Sequence, residues 1–116
     1  MKKNVKQWYE VCAVDEIPRR GAVRIVHGET KIAVFKSSSD VIRALEDKCP
    51  HKGGPLSDGI VHGDCVTCPL HNWNIDLETG SAMGADEGQV ATFNVRVDDR
   101  QVYVELGSET ELALVH

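Results

Sequence analysis

The alternation of apolar and polar residues predicts a chain made of short β-strands. Ala91 to Val97 places Phe93, Val95 and Val97 on one face and Thr92, Asn94 and Arg96 on the other, the period of two expected of a strand with one buried side. Gln101 to Leu106 repeats the pattern with Val102, Val104 and Leu106, and the polar Asp98-Asp99-Arg100 between the two runs predicts a hairpin. Ala22 to Val26 and Thr30 to Phe35 are apolar and rich in β-branched residues, with His27-Gly28-Glu29 as the connecting turn. Trp8 to Val14 is a further strand, followed at Asp15-Glu16-Ile17-Pro18 by a turn or a single helical turn. Val41 to Glu46 suits a helix through Val41 and Leu45, but its shortness and its strand neighbours favour a strand. Ser37-Ser38-Ser39-Asp40 before it reads as a hairpin turn or a helix cap.

Between Cys49 and Gln89 the texture changes. Seven of the ten glycines fall there, with Pro50, Pro55 and Pro69. This middle stretch is expected to be loops and short strands set into the more regular β scaffold. Gly107 to His116 has no evident partner and is expected to fray. With 116 residues, 41% of them hydrophobic, the chain suits one globular domain, 1–116, with a modest core. A net charge of −5 argues against nucleic acid, whose phosphates call for a basic patch, and is compatible with a basic docking surface on a protein partner. No apolar run approaches the ~20 residues of a membrane helix. The basic start Met1 to Lys6 is followed by no apolar stretch or cleavage signal. A cytoplasmic protein without a membrane partner is the expectation.

The chemistry is concentrated in Cys49-Pro50-His51 and Cys68-Pro69-Leu70-His71, separated by sixteen residues. Each limb offers one thiolate and one imidazole. That equal split fits a two-iron, two-sulfide cluster in which two cysteines hold one iron and two histidines the other. Charge counting explains the choice. Two ferric ions, two sulfides and two thiolates sum to zero, so the added electron meets a neutral cluster, whereas four thiolates would leave it at −2. The potential is therefore raised, to about −150 to +300 mV against about −400 mV for the four-cysteine plant type. Pro50 and Pro69 stiffen the loops, and Gly53 and Gly54 let main-chain N–H groups approach the sulfurs and tune the potential. Two cysteines with two histidines also make a structural zinc set, but zinc sequences usually keep like ligands together. Cys65-Val66-Thr67-Cys68 is a second C-x-x-C, so a zinc site of Cys49, His51, Cys65 and Cys68 competes, with Cys65 as a plain strand residue the favoured alternative. Cys12 reads as a small buried apolar group in the first strand.

Cys49-Pro50-His51-Lys52-Gly53-Gly54-Pro55-Leu56-Ser57 and Cys68-Pro69-Leu70-His71-Asn72-Trp73 together resemble the Rieske-type [2Fe–2S] domains. With Glu46-Asp47-Lys48, Trp73 to Gly80 and Gly84 to Gly88, the sequence is most similar to the small subunit of assimilatory NAD(P)H-dependent nitrite reductase, over Trp8 to Leu106. The resemblance implies an all-β Rieske fold: an antiparallel scaffold carrying a small, loop-rich cluster-binding subdomain at about 47–75. It implies that Cys49 and Cys68 hold the inner iron and His51 and His71 the outer one, with one cluster per chain. It also implies a large partner subunit with flavin, a four-iron cluster and sirohaem, where nitrite would be reduced to ammonium. This chain would be an electron-transfer subunit of that oxidoreductase, with no substrate chemistry of its own. The quinol-oxidising branch of the family has two further cysteines in these loops. Here Gly54 and Leu70 stand in their places, and Trp73 and Ile75 stand where that branch has hydrogen-bonding Ser and Tyr. A potential in the lower part of the Rieske range is expected. The rival readings are a free-standing Rieske ferredoxin of a ring-hydroxylating dioxygenase, and a zinc-bound or metal-free structural subunit.

Trp73 suits either shielding of the cluster or core packing. His62, His27 and His116 are expected in solvent, and Lys52 at a docking rim or in a solvated loop. Asp58, Asp64, Asp76, Asp86 and Glu87 form either an acidic face or ordinary polar loop surface. No nucleophile–base pair, paired carboxylates or nucleotide loop stands out.

Overall fold

A computed structural model describes residues 6–28, 30–49, 55–68, 73–83, 88–107 and 112–115. Within them lie eleven strands: β1 (Lys6–Ala13), β2 (Ala22–His27), β3 (Thr30–Lys36), β4 (Ile42–Glu46), β5 (Ile60–His62), β6 (Cys65–Thr67), β7 (Asn74–Asp76), β8 (Thr92–Phe93), β9 (Val95–Asp98), β10 (Gln101–Gly107) and β11 (Leu112–Val115). They form three antiparallel sheets, in the orders β1-β10-β9, β11-β2-β3-β4-β8 and β5-β6-β7. The fold is all-β, as expected. Among the described residues no helix is long and apolar enough to cross a membrane.

The five-stranded sheet is the shared wall. Its central strand β3 carries Ile32, Ala33, Val34 and Phe35, all with no exposed surface. An unbroken apolar run is what a strand covered on both faces requires. Ile32 and Val34 pack toward the β1-β10-β9 sheet, in a core with Cys12, Ile25, Ile42, Val102, Val104 and Leu106. Ala33 and Phe35 face the other way, with Leu45, into a core shared with Leu56, Val61, Val66, Ile75 and Leu77. Each such large side chain contributes about 1.5–3 kcal/mol by leaving water. The small β5-β6-β7 sheet is thereby fixed to the far face of the wall.

Turn chemistry sets the hairpins. Asp99 and Arg100 have φ of 51° and 62°, the two left-handed residues of a type I′ turn, whose twist matches the strands it joins. The Ser37 hydroxyl accepts the N–H groups of Ser39 (3.2 Å) and Val41 (3.1 Å), so Ser37–Asp40 is a hairpin turn and not a helix cap. Val14–Glu16 is the single helical turn expected after β1.

Two expectations are corrected. Ala91 to Val97 is not one strand. Thr92 and Phe93 pair with Leu45 and Ala44, whereas Val95 onward pairs with β10 in the other sheet. Asn94 marks the crossing: its carbonyl accepts the N–H of Glu105 at 3.0 Å and its amide donates to the Glu105 carboxylate at 3.0 Å. The alternation carries through because both sheets close on one core, against which Phe93 and Val95 pack. Val97, past the crossing, is half exposed. The tail expected to fray is also partly paired: Leu112–Val115 lies antiparallel to β2, from Leu112 opposite His27 to Val115 opposite Arg24. An apolar Leu-Ala-Leu-Val segment there satisfies the open edge of β2.

Candidate metal centre

Both candidate ligand segments are flanked by hydrogen-bonded necks. The first follows β4. The Asp47 main-chain N–H donates to the Lys31 carbonyl at 2.7 Å, which keeps the chain against β3. The Asp47 carboxylate is buried. One oxygen accepts the Ser57 N–H at 2.7 Å and the other the Ser57 hydroxyl at 2.8 Å. Two charge-assisted hydrogen bonds to one residue hold both arms of the loop together. Next to this brace Cys49 is 1% exposed, and Leu56 on the returning arm is fully buried in the same core.

The second loop is the tip of the β6–β7 hairpin. Thr67 pairs with Asn74, and one step further the Cys68 N–H donates to the Trp73 carbonyl at 2.7 Å. Cys68 is 0% exposed. Trp73 packs, partly buried, against the core that holds both cysteines. Gly59 is required here. A Cβ on it would sit 2.4 Å from the Thr67 carbonyl oxygen and 2.8 Å from Val66 Cγ2, so any side chain would push β5 off the strand that leads into Cys68.

Cys65 and Cys68, three residues apart, fall half a strand period out of phase. Val66 and Cys68 point into the core, while Cys65 is turned to the opposite face, its sulfur 3.1 Å from that of Met83. Burial, with Asp76 and Asp64 nearby, pushes its thiol pKa up from 9.0, away from the thiolate that metals bind. Among the described residues Cys49, Cys65 and Cys68 do not converge on one metal position. His62 stands on the same outer face, exposed and in β5, with its Nε2 2.7 Å from the Thr67 hydroxyl, which in turn donates to Asn74 Oδ1 at 2.6 Å. His27 ends β2 and meets Tyr9 edge-on at 5.5 Å; it is partly buried, contrary to the solvated turn expected. Asp58 pairs with Arg24 at 2.6 Å, and the Asp76 carboxylate accepts the N–H groups of Glu78 and Thr79. These acids serve turns and pairs. His51, His71, His116, Lys52, Gly53, Gly54, Leu70, Asp86 and Glu87 lie outside the described residues.

The donors that are described fit an iron–sulfur centre. Cys49 and Cys68 are thiols buried in one core, each beside a hydrogen-bonded neck and followed in the sequence by a histidine. Soft thiolates screened from water suit iron and sulfide.

The family model described as "Rieske [2Fe-2S] domain" matches residues 7–104. The chain belongs to the Rieske [2Fe–2S] family. The anthranilate 1,2-dioxygenase ferredoxin subunit of Burkholderia cepacia is 35% identical over 102 residues, covering 87% of this chain and 94% of that protein. Among solved structures, a chain from the complex of reduced oxygenase and oxidised ferredoxin in carbazole 1,9a-dioxygenase superposes with a TM-score of 0.76. It is 29% identical, over 90% of this chain and 95% of that one. A Mycobacterium tuberculosis protein assigned as an NADH-dependent nitrite reductase small subunit superposes with a TM-score of 0.77, at 24% identity over 87% and 96% of the two chains. At that identity the likeness is one of fold.

As a Rieske domain, the chain carries a [2Fe–2S] cluster and serves electron transfer in an oxidoreductase system. The cluster supplies one-electron chemistry. The Asp47–Ser57 brace, the Cys68–Trp73 hydrogen bond and the apolar core behind them hold the cysteine roots in place and exclude water from that side. Asp47, Ser57 and Gly59 were not singled out as site-builders from sequence. Asp47 and Ser57 are ten residues apart, which no strand or helix period links.

Proposed function

We propose that this Rieske domain is the ferredoxin component of a ring-hydroxylating dioxygenase system, passing single electrons from a reductase to an oxygenase. The observation that carries this reading is the 35% identity to a dioxygenase ferredoxin subunit across nearly the whole of both chains. Cys49 and Cys68 would hold the inner iron, and His51 and His71 the outer one. The histidine-held iron would be the one that meets the partner. The nitrite reductase reading drawn from Gly53 to Leu56 and from the stretch after His71 is the second candidate, supported by the likeness of fold to such small subunits.

The two are separated by the acceptor. The purified, cluster-loaded chain is reduced with dithionite, desalted anaerobically and mixed with the terminal oxygenase of a ring-hydroxylating system or with a sirohaem nitrite reductase large subunit, both from the same genome. Reoxidation is followed by stopped-flow absorbance. Rapid reoxidation by the oxygenase alone is expected. Reoxidation by the sirohaem subunit alone favours the second reading, and reoxidation by neither overturns both. A redox titration is expected to place the potential in the lower part of the Rieske range, below about 0 mV, because Ile75, fully buried and apolar, offers no side-chain donor to the cluster sulfur.

A further inference from the structure

The crossing at Asn94 leaves a gap. β8 covers β4 only at Ala44 and Leu45, and the chain then moves to the other sheet, so Ile42 and Arg43 have no strand on that side. Between them and β9 a cavity of about 680 Å3 opens, within the ~300–1,000 Å3 of small-molecule sites. It lies at the end of β4 opposite to Cys49, remote from the cluster loops.

Its lining is amphipathic. Val14, Val41, Val95 and Val97 supply apolar wall, with Val41 39% and Val97 48% exposed. Lys36 lines the same cavity. By strand alternation Lys36 follows Ile32 and Val34 on the face that closes on the β1-β10-β9 sheet. Its stem is buried, the residue being 9% exposed, while its ammonium snorkels to the cavity water and makes no ion pair or side-chain hydrogen bond with any described residue. Arg43, also in the lining, pairs through one Nη with Glu78 at 3.6 Å and keeps a buried Nε without a partner among the described residues. Two acids are present. Asp15 is engaged by Arg100, and Asp40 is exposed in the β3–β4 turn and within 4 Å of neither cation. A cation that opens into a half-apolar cavity without a protein counter-charge attracts an anion more strongly than one in open water.

We propose that this cavity is a binding site for a small monocarboxylate with an apolar body. The carboxylate meets Lys36, with Arg43 as second donor, and the hydrocarbon part lies against the four valines. A bare anion would leave that apolar wall wet, and an uncharged hydrocarbon would leave Lys36 without its counter-charge.

The test is a titration of the cluster-loaded chain with benzoate and hexanoate, read by amide chemical shifts in 15N-labelled protein. Saturable shifts centred on Lys36, Arg43, Val95 and Val97 are expected, with a Kd on the order of 1 mM or tighter. Benzyl alcohol, hexanol and inorganic phosphate should each bind at least ~10-fold more weakly, a difference of about 1.4 kcal/mol. Lys36→Met keeps the apolar stem, and it should lose ~10-fold in affinity while the cluster absorbance is unchanged; Arg43→Gln should lose less. Absence of saturable shifts for both acids, equal binding of the alcohols, or phosphate binding as well as benzoate overturns the proposal. If Lys36→Met does not fold, the alcohol and phosphate comparisons on the native chain and the Arg43→Gln titration decide it.

Discussion

The five-stranded sheet buries cysteines on both its faces, and only one face is built to use them. Toward the β1-β10-β9 sheet, Cys12 sits among Ile25, Ile32, Val102 and Val104. Burial pushes its thiol up to about 11, so it is a neutral, inert filler. Toward the small sheet, Cys49 and Cys68 are as deeply buried, yet Cys49 comes two residues after the Asp47 brace and Cys68 directly after β6, each shortly before a histidine in the sequence. Burial does not distinguish a ligand from a core residue here. What sets these two apart is the hydrogen-bonded neck beside each and the histidine that follows it in the sequence.

The sharpest way to break this contrast is to remove one sulfur at a time. Cys49→Ser and Cys68→Ser should each abolish the low-g-average EPR signal of the reduced protein and leave the purified chain with little or no iron. Cys12→Ala should keep both signal and iron content, at a cost in stability of about 1–2 kcal/mol for the lost packing. A Cys12 variant without iron, or a Cys68 variant with an unchanged signal, would overturn the assignment of roles to the two faces.

Next in size is Gly59→Val. Nothing flexible can give way at 2.4 Å from a main-chain oxygen, so the β5–β6 pairing must shift. A loss of about 2–4 kcal/mol in chemical denaturation is expected, with iron retention reduced because Cys68 follows the displaced Thr67. Normal stability and full iron content would show that the close approach is not needed.

The two necks differ in what mutation can reach. The first depends on a side chain, so Asp47→Ala removes two hydrogen bonds and leaves the Ser57 N–H unmatched, for a loss of about 1.5–3 kcal/mol. The second uses main-chain atoms only, so Trp73→Phe keeps its hydrogen bond and should cost less, about 1 kcal/mol of packing. Iron release to a chelator measures both: Asp47→Ala should release iron faster than Trp73→Phe, and the reverse order would reject the brace.

Much of this was legible in the residues. The runs Ala22 to Val26, Thr30 to Phe35 and Gln101 to Leu106 became strands because their β-branched and alternating residues suit a pleated wall. The candidate ligands stand out in the sequence because Cys-x-His and Cys-x-x-His are local patterns. What escaped was non-local. The break at Asn94 is invisible because alternation continues across it. The pairing of Leu112–Val115 with β2 needs the open edge of a strand some ninety residues away. The weight given to nitrite reductase came from loop residues shared by branches of one fold, and overall identity to a dioxygenase ferredoxin subunit moved it.

The last expected effect concerns pH and belongs to the inert face. The Cys12 thiol is raised from 9.0 to about 11, first by burial and then by Glu16, against a lowering by Lys36. A folded-state pKa above the unfolded one means that the native chain holds this proton more tightly. The resulting stability is therefore complete below about pH 9 and is lost as pH rises through 11. Cys12→Val cannot titrate, so its unfolding free energy should fall less steeply between pH 9 and 11 than that of the native chain. Parallel slopes in denaturant melts over that window would show that Cys12 is as reachable by solvent when folded as when unfolded, which its 6% exposure and apolar neighbours argue against.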